Sequence, residues 1–280
     1  MKIGITSGAV ARYGDARYEK LHKCGFDSID LNMMNRGRPF YTCTEDELPV
    51  LVAEEKALAE KSGVEFFQTH GPWDYPPKDS TPEERDTLMR DMRRGIRVTA
   101  LLGSKYMVVH PLTPFGTREP EGVGEQTFEI NVAFWRALMP TAKEYGVTVC
   151  LENMPFHHYS HSHPADILKI VQAVNDENFA ICLDLGHVNV FPDPDIYAEM
   201  QLINDKLRVV HVHGNDGQND QHLLPYFGKL DWKEFGRAWR DIGFDGVFSF
   251  ECAPPAKLPD ELHEKMLALM PDIAREIVKG

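Results

Sequence analysis

Long apolar runs are missing from this 280-residue chain, so no stretch offers itself as a membrane-spanning helix. A basic excess is missing as well. The formal net charge is -13, and the electrostatic footprint that usually marks nucleic-acid binders does not show in the composition. CxxC spacing is absent among the five cysteines (Cys24, Cys43, Cys150, Cys182 and Cys252). Their odd number and their places in or near apolar stretches fit reduced thiols in a core, and hence a cytoplasmic protein. No secretory leader is expected, because MKIGITSG reads at once as a strand. Linkers, low-complexity tracts and composition breaks are lacking too, which leaves one domain spanning residues 1–280. The composition that remains, 42% hydrophobic and 26% charged, is that of an ordinary globular protein with a substantial core.

What is present is a recurring phrase. A helical pattern ends, a glycine follows and an apolar strand begins, in HKCGFDSIDL, EKSGVEFFQTH, ALLGSKYMVVH, KEYGVTVCLEN and RDIGFDGVFSFE. A glycine just past a helix closes the last turn in the left-handed conformation. Short strands rich in Val, Ile, Phe and Tyr suit a parallel sheet covered on both faces. Lys2–Thr6, Phe179–Leu183 and Leu207–Val212 keep the apolar pattern without the glycine. Eight strands at a mean spacing of about 35 residues predict a (β/α)8 barrel. Helices are expected between them, at about Ala16–Cys24, then Thr44–Ser62, Thr81–Leu102, Glu125–Tyr145, His163–Asn175, Pro194–Asn204, Trp232–Ile242 and Pro259–Val278. Thr44 with Glu47 has the spacing of a capping box, and TPEE at Thr81 places Pro82 at the first helical position.

The strands end in polar residues: Asp30 and Asn32, His70, His110, Glu152, Asp184, His213 and Glu251. Small residues lie below three of the carboxylates on the same face: Cys150 below Glu152, Cys182 below Asp184 and Ser249 below Glu251. That is the layering of a filled barrel with an active site at the C-terminal ends of its strands. The stretch VVHVHGNDGQNDQHLLPYFGKLDW is the densest case, carrying His213, Asp216, Asp220 and His222 directly after a strand. Buried ionisable groups at such density are costly unless paired or bound to metal.

Glu152, Asp184, His213 and Glu251 are read as one metal site. Three carboxylates and one imidazole suit Mn²⁺, Mg²⁺ or Co²⁺, and Zn²⁺ in an open site. Glu152 and Glu251, from strands three apart, would face each other across the ion. One could take a proton from a sugar carbon while the other returns one, which describes an isomerase or epimerase working through a metal-stabilised enediolate. His211, one layer below His213, reads as a buried, hydrogen-bonded histidine. Trp73 reads as an apolar wall of the pocket, and the run His157–His163 as a solvated loop above the fifth strand. Lys229 or Arg118 would be the residues to meet a substrate phosphate, but no glycine cluster opening a helix marks a dedicated phosphate site.

LENMP, CLDLGH, HVHGNDG with its following DQHLLP, and FSFE together resemble the signature of the xylose isomerase-like barrels, the sugar phosphate isomerase/epimerase superfamily. The resemblance runs through the whole chain in order. It implies Glu152, Asp184, His213 and Glu251 as ligands of one divalent ion, the two glutamates as proton-transfer groups, and His187 on substrate oxygens. Gly214 and Tyr226 depart from it, standing where Asp and Gly are expected. The same superfamily includes endonuclease IV, a trinuclear-zinc phosphodiesterase acting on DNA. That resemblance would make His70 and His110 zinc ligands with Glu152, and His187, Asp220 and His222 ligands of additional zinc. Arg36, Arg38, Phe40 and Tyr41 would then be the residues to meet a backbone and a base. The favoured reading keeps His70, His110, His187, Asp220 and His222 as groups lining a sugar pocket. A keto-inositol dehydratase would share the same first proton abstraction. The partner expected is a small carbohydrate, with no membrane and no nucleic acid, and with homo-oligomerisation left open.

Overall fold

A computed structural model describes residues 1–279 of the chain. Eight parallel strands, β1 (Ile3–Thr6), β2 (Ser28–Asn32), β3 (Glu65–His70), β4 (Tyr106–Val109), β5 (Thr148–Glu152), β6 (Phe179–Asp184), β7 (Leu207–Val212) and β8 (Phe248–Phe250), pair in sequence order. Pairing of β8 with β1 closes the barrel, so no strand edge is left open. The helices are α1 (Arg17–Lys23), α2 (Pro39–Thr42), α3 (Leu48–Ser62), α4 (Pro82–Leu102), α5 (Gly124–Tyr145), α6 (Pro164–Val174), α7 (Leu185–Asn189), α8 (Ile196–Ile203), α9 (Trp232–Asp241) and α10 (Asp260–Lys279). The (β/α)8 architecture expected from the strand spacing is therefore the architecture found.

Two hydrophobic regions hold it together. The larger lies between strands and helices, where Ile5, Ile29, Leu151, Ile181 and Val210 meet helix residues such as Trp135, Ile170 and Phe235. The smaller fills the barrel itself with Val108, Cys150, Ala180, Cys182 and Val209, closed below by Phe67 and Tyr106. The small residues foreseen beneath Glu152 and Asp184 are thus the packed interior layer. All five cysteines are free thiols.

The five glycines of the repeated phrase, Gly25, Gly63, Gly103, Gly146 and Gly243, all have positive φ, between 65° and 92°. An L side chain there would be strained, so each glycine turns the chain from a helix into the next strand. Thr81 and Glu84 form both bonds of a capping box at the start of α4. Thr44 and Glu47 exchange the same pair of bonds, but the regular helix α3 begins only at Leu48, so the box closes a turn that precedes it. Three elements escape the periodicity: the 3-10 turns Ser7–Ala16, the single-turn α2 and the five-residue α7. Short helices carry too few turns to show an apolar stripe.

Candidate active site

The residues with chemistry converge at the C-terminal mouth of the barrel, in three adjoining corners. In the first, His70 ends β3, His110 follows β4 and Glu152 ends β5. Their Nε2 atoms lie 3.4 Å (His70) and 3.1 Å (His110) from the same oxygen, Glu152 Oε2, and 3.1 Å from each other. Glu152 Oε2 is buried and has no well-formed hydrogen bond. Trp73 packs edge-on against His110, with ring centroids 4.7 Å apart.

The second corner is built on the other oxygen of Glu152. His211 Nδ1 lies 2.9 Å from Glu152 Oε1, 3.2 Å from Glu251 Oε2 and 4.0 Å from Asp184 Oδ2. One donor atom from each of Glu152, Asp184, His211 and Glu251 falls within 4.8 Å of the others. The far nitrogen of the His211 ring, Nε2, lies 3.2 Å from Asp30 Oδ2. A metal-binding imidazole held from behind by a carboxylate is a common arrangement, because the partner fixes both tautomer and ring orientation.

The third corner holds His187, His213, Asp220 and His222. Asp220 Oδ2 lies 3.3 Å from His187 Nε2 and 3.2 Å from His222 Nε2. The rings of His213 and His222 stack at 3.9 Å. His213, expected beside all three carboxylates, reaches only one, with Nε2 3.0 Å from Asp184 Oδ2. It stands away from the others because the chain leaves the barrel wall after Val212: Gly214 exchanges two 2.7 Å backbone hydrogen bonds with Leu223. His211 takes the place against Glu152 and Glu251 instead. It is fully buried and hydrogen-bonded, as foreseen, yet it also faces the carboxylates.

Three tautomers are fixed by the backbone. Carbonyl oxygens only accept, so His70 Nδ1 donates to Gly71 O (3.1 Å), His187 Nδ1 to Asn153 O (2.7 Å) and His222 Nδ1 to Glu251 O (2.6 Å). In the neutral ring each Nε2 then carries the lone pair, which an ion would take in place of the proton that Nε2 of His187 and His222 shares with Asp220. Together with the unbonded Glu152 Oε2, this donor set fits divalent metal: neutral imidazoles, carboxylates and outer partners that orient them.

The electrostatics say the same. Burial alone would push Glu152 up, but the facing His211, His110 and His70 hold its carboxyl well below the usual range. Burial opposes protonation of His187, yet Asp184 and Asp220 push it up to about 10. Burial likewise opposes protonation of His222, which Asp220 and Glu251 push up to about 9. His70 is raised by Glu152 against the pull of burial, whereas burial wins at His110 and lowers it. Two rings sharing one carboxylate oxygen cannot both hold the proton. Carboxylates at this density draw positive charge, and a divalent ion carries it better than protons do.

Other expectations resolve differently. Asp216 does not face the site; its carboxylate accepts from the backbone of Gln218 and Asn219 and shapes the loop. Arg36 is not free for a phosphate backbone, being held by Asp74 (2.7 Å) and Asp91 (2.6 Å). Phe40 is buried in the core and cannot stack on a base. The His157–His163 run is tied down rather than loose: His158 Nε2 donates to Thr117 O (2.9 Å) and Ser160 N to Glu119 (2.7 Å).

With barrel and corners in place, the family follows: residues 18–270 match the model of the xylose isomerase-like TIM barrels, and the chain belongs to that family. An uncharacterised protein of Methanocaldococcus jannaschii is 31% identical over 200 residues, covering 69% of this chain and 66% of its own length, just under two thirds. D-psicose 3-epimerase of Ruminiclostridium cellulolyticum is 26% identical over 269 residues, covering 90% of this chain and 83% of the enzyme. A crystal structure of D-psicose 3-epimerase with D-tagatose from Clostridium cellulolyticum H10 superimposes with a TM-score of 0.80 over 99% of both chains, at 18% identity. A probable endonuclease 4 of Metamycoplasma arthritidis is 29% identical over 159 residues, covering 52% of this chain and 55% of that protein. No described helix is long and apolar enough to cross a membrane.

Proposed function

We propose that this chain is a divalent-metal-dependent isomerase or epimerase of a sugar, sugar phosphate or related keto-polyol, acting in the cytoplasm. The observation that carries the reading is the convergence of Glu152 and Glu251 from the ends of strands three apart in the barrel. They lie 2.9 Å and 3.2 Å from the shared His211 Nδ1, with Asp184 alongside. Glu152, Asp184, Glu251 and one imidazole, His211 or His213, would hold the ion. A bound Mn²⁺, Mg²⁺, Co²⁺ or Zn²⁺ would supply positive charge to the oxygens of a ketose. One glutamate removes the proton from the carbon next to the carbonyl, and the other returns a proton to the opposite face. The enediolate between these steps has lost its stereochemistry, so the face of return sets the product. His187, Asp220, His222, His70 and His110 orient hydroxyls, and Trp73 shields one side from water. The similarity to D-psicose 3-epimerase over most of both chains supports this reading.

The test is solvent exchange. The metal-loaded protein, incubated with ketoses in deuterium oxide, should place deuterium on the carbon beside the carbonyl. Product formed without deuterium would remove the proton-transfer reading in favour of hydride shift.

A second reading has its own observation. The first two corners share Glu152 and the third meets the second where His213 lies 3.0 Å from Asp184, an arrangement that suits three zinc ions and a phosphodiesterase of the endonuclease IV kind. Near three equivalents of zinc per chain, with cleavage of duplex DNA at an abasic site that is lost in His222→Ala, would establish it. Near one equivalent of metal and no cleavage would leave the sugar reading. The engaged Arg36, the buried Phe40 and the acidic balance weigh against DNA.

A further inference from the structure

Beneath the corners, inside the barrel, lies a buried chain of polar side chains. Asp30 and Gln68 are paired neighbours on β2 and β3, and His211 on β7 reaches both of them across the interior. All three are at most 2% exposed. Gln68 Nε2 lies 3.1 Å from Asp30 Oδ2 and 2.9 Å from His211 Nε2. The carboxylate oxygen only accepts, so it turns the amide to present its NH2 group, and an NH2 group only donates. His211 Nε2 is therefore the acceptor of the shorter bond, and the ring proton is left on Nδ1. The other side of the ring agrees. Nδ1 faces two oxygens that need a donor, Glu152 Oε1 at 2.9 Å and Glu251 Oε2 at 3.2 Å. Charging the ring would add a proton at Nε2 and leave this one in place. Asp30 Oδ1 and Gln68 Oε1, meanwhile, are buried without a partner. Half-satisfied polar groups cost stability that apolar side chains of the same size would not, so packing does not account for them.

We infer that Asp30, Gln68 and His211 are positioning residues: a buried brace that keeps a proton on His211 Nδ1 and so pins Glu152 Oε1 and Glu251 Oε2 at a fixed separation. The inference rests on the isomerase or epimerase reading of those two glutamates. Moving a proton off and onto one carbon needs both carboxylates at set distances, and a donor shared between them fixes the two together. The brace also takes His211 out of the ion's ligands, because a nitrogen that bears a proton has no lone pair to give. His213, 3.0 Å from Asp184, is left as the imidazole beside the ion.

The test is proton placement, read by long-range ¹H–¹⁵N correlation on zinc-loaded protein labelled with ¹⁵N-histidine, the His211 signals being assigned by their loss in His211→Gln. The wild type should carry a proton on Nδ1; an Nδ1 that is bare or bound to zinc overturns the brace. In Gln68→Met, which fills a similar volume without the amide, the partner left at Nε2 is Asp30 Oδ2, 3.2 Å away, and the proton should move to Nε2. In Asp30→Asn, whose amide oxygen can still receive the Gln68 bond, it should stay on Nδ1. A proton kept on Nδ1 in Gln68→Met, or lost from it in Asp30→Asn, overturns the roles given to those residues. With manganese bound, Gln68→Met should also lower kcat for deuterium exchange into D-psicose about 10–100-fold, with KM and the number of bound ions little changed, while Asp30→Asn stays near wild type. An unchanged kcat in a variant whose proton has moved overturns the positioning role. Proton placement as expected, with no exchange into D-psicose by the wild type, counts against the epimerase reading and leaves the brace; exchange by a wild type whose Nδ1 is bare does the reverse.

Discussion

Gly186, in the short helix α7, sits under the ring of His213. A β-carbon built on it would lie 1.9 Å from His213 Cε1, 2.4 Å from Nδ1 and 2.6 Å from Nε2. Ordinary contact begins near 3.4 Å, so in Gly186→Ala the ring must retreat by about 1.5 Å. His213 is fully buried, stacked on His222 and 3.0 Å from Asp184, so the retreat breaks one contact or both. Overpacking of this kind costs roughly 1–3 kcal/mol. Against it stands the helix preference of alanine over glycine, at most about 1 kcal/mol and less in a helix this short. The net expectation is a loss of about 1–2 kcal/mol. Denaturant unfolding of both proteins in excess chelator reads the packing term alone, through a shifted midpoint at unchanged slope. Metal titration then reads the site, where an ion that His213 helps to hold beside Asp184 should bind at least tenfold more weakly. A variant as stable as the wild type, with unchanged metal affinity, would refute the placement of His213 against α7.

Replacing Glu152 or Glu251 by Gln should lower turnover by two orders of magnitude or more in metal-loaded protein; near-normal rates in either would end its acid/base role. Glu152→Gln and Glu251→Gln should each also weaken binding of the one ion they are read as sharing, measured as equivalents retained after gel filtration. Metal removal with a chelator should abolish activity, and readdition of Mn²⁺ or Co²⁺ should restore it; activity that survives complete removal rejects the metal requirement. For the metal-free protein, His187 and His222 have folded pKa values raised to about 10 and about 9. Their contribution to stability is therefore full below about pH 6.5 and is lost as pH rises through 9 to 10. Unfolding midpoints should fall across that window, and bound metal should flatten the fall; a midpoint that rises with pH there contradicts the ion pairs with Asp220.

The barrel was legible because its signals are local and repeated. A left-handed glycine, a short strand and a polar strand end recur at one spacing, and each has a mechanism that acts over a few residues. The capping boxes at Thr44 and Thr81 were legible for the same reason. The division of labour within HVH was not. A period of two puts His211 and His213 on one face of β7, and only the departure of the chain at Gly214 sends them to different corners. Asp30 was visible as a strand-end carboxylate, but its place behind His211 depends on two strands that are far apart in the sequence. Arg36 looked free because Asp74 and Asp91 lie 38 and 55 residues away. Nor could any local pattern show that Gln68 meets Asp30 and His211 inside the barrel.

Glu152 has one oxygen in each of two corners, Oε2 before His70 and His110, and Oε1 before His211. A carboxylate is a rigid plane turning on a single bond, so these oxygens move like the two ends of a seesaw. Any cation that tips one end toward itself withdraws the other from its neighbours. The two corners therefore report on each other through one torsion angle, with no change of backbone between them.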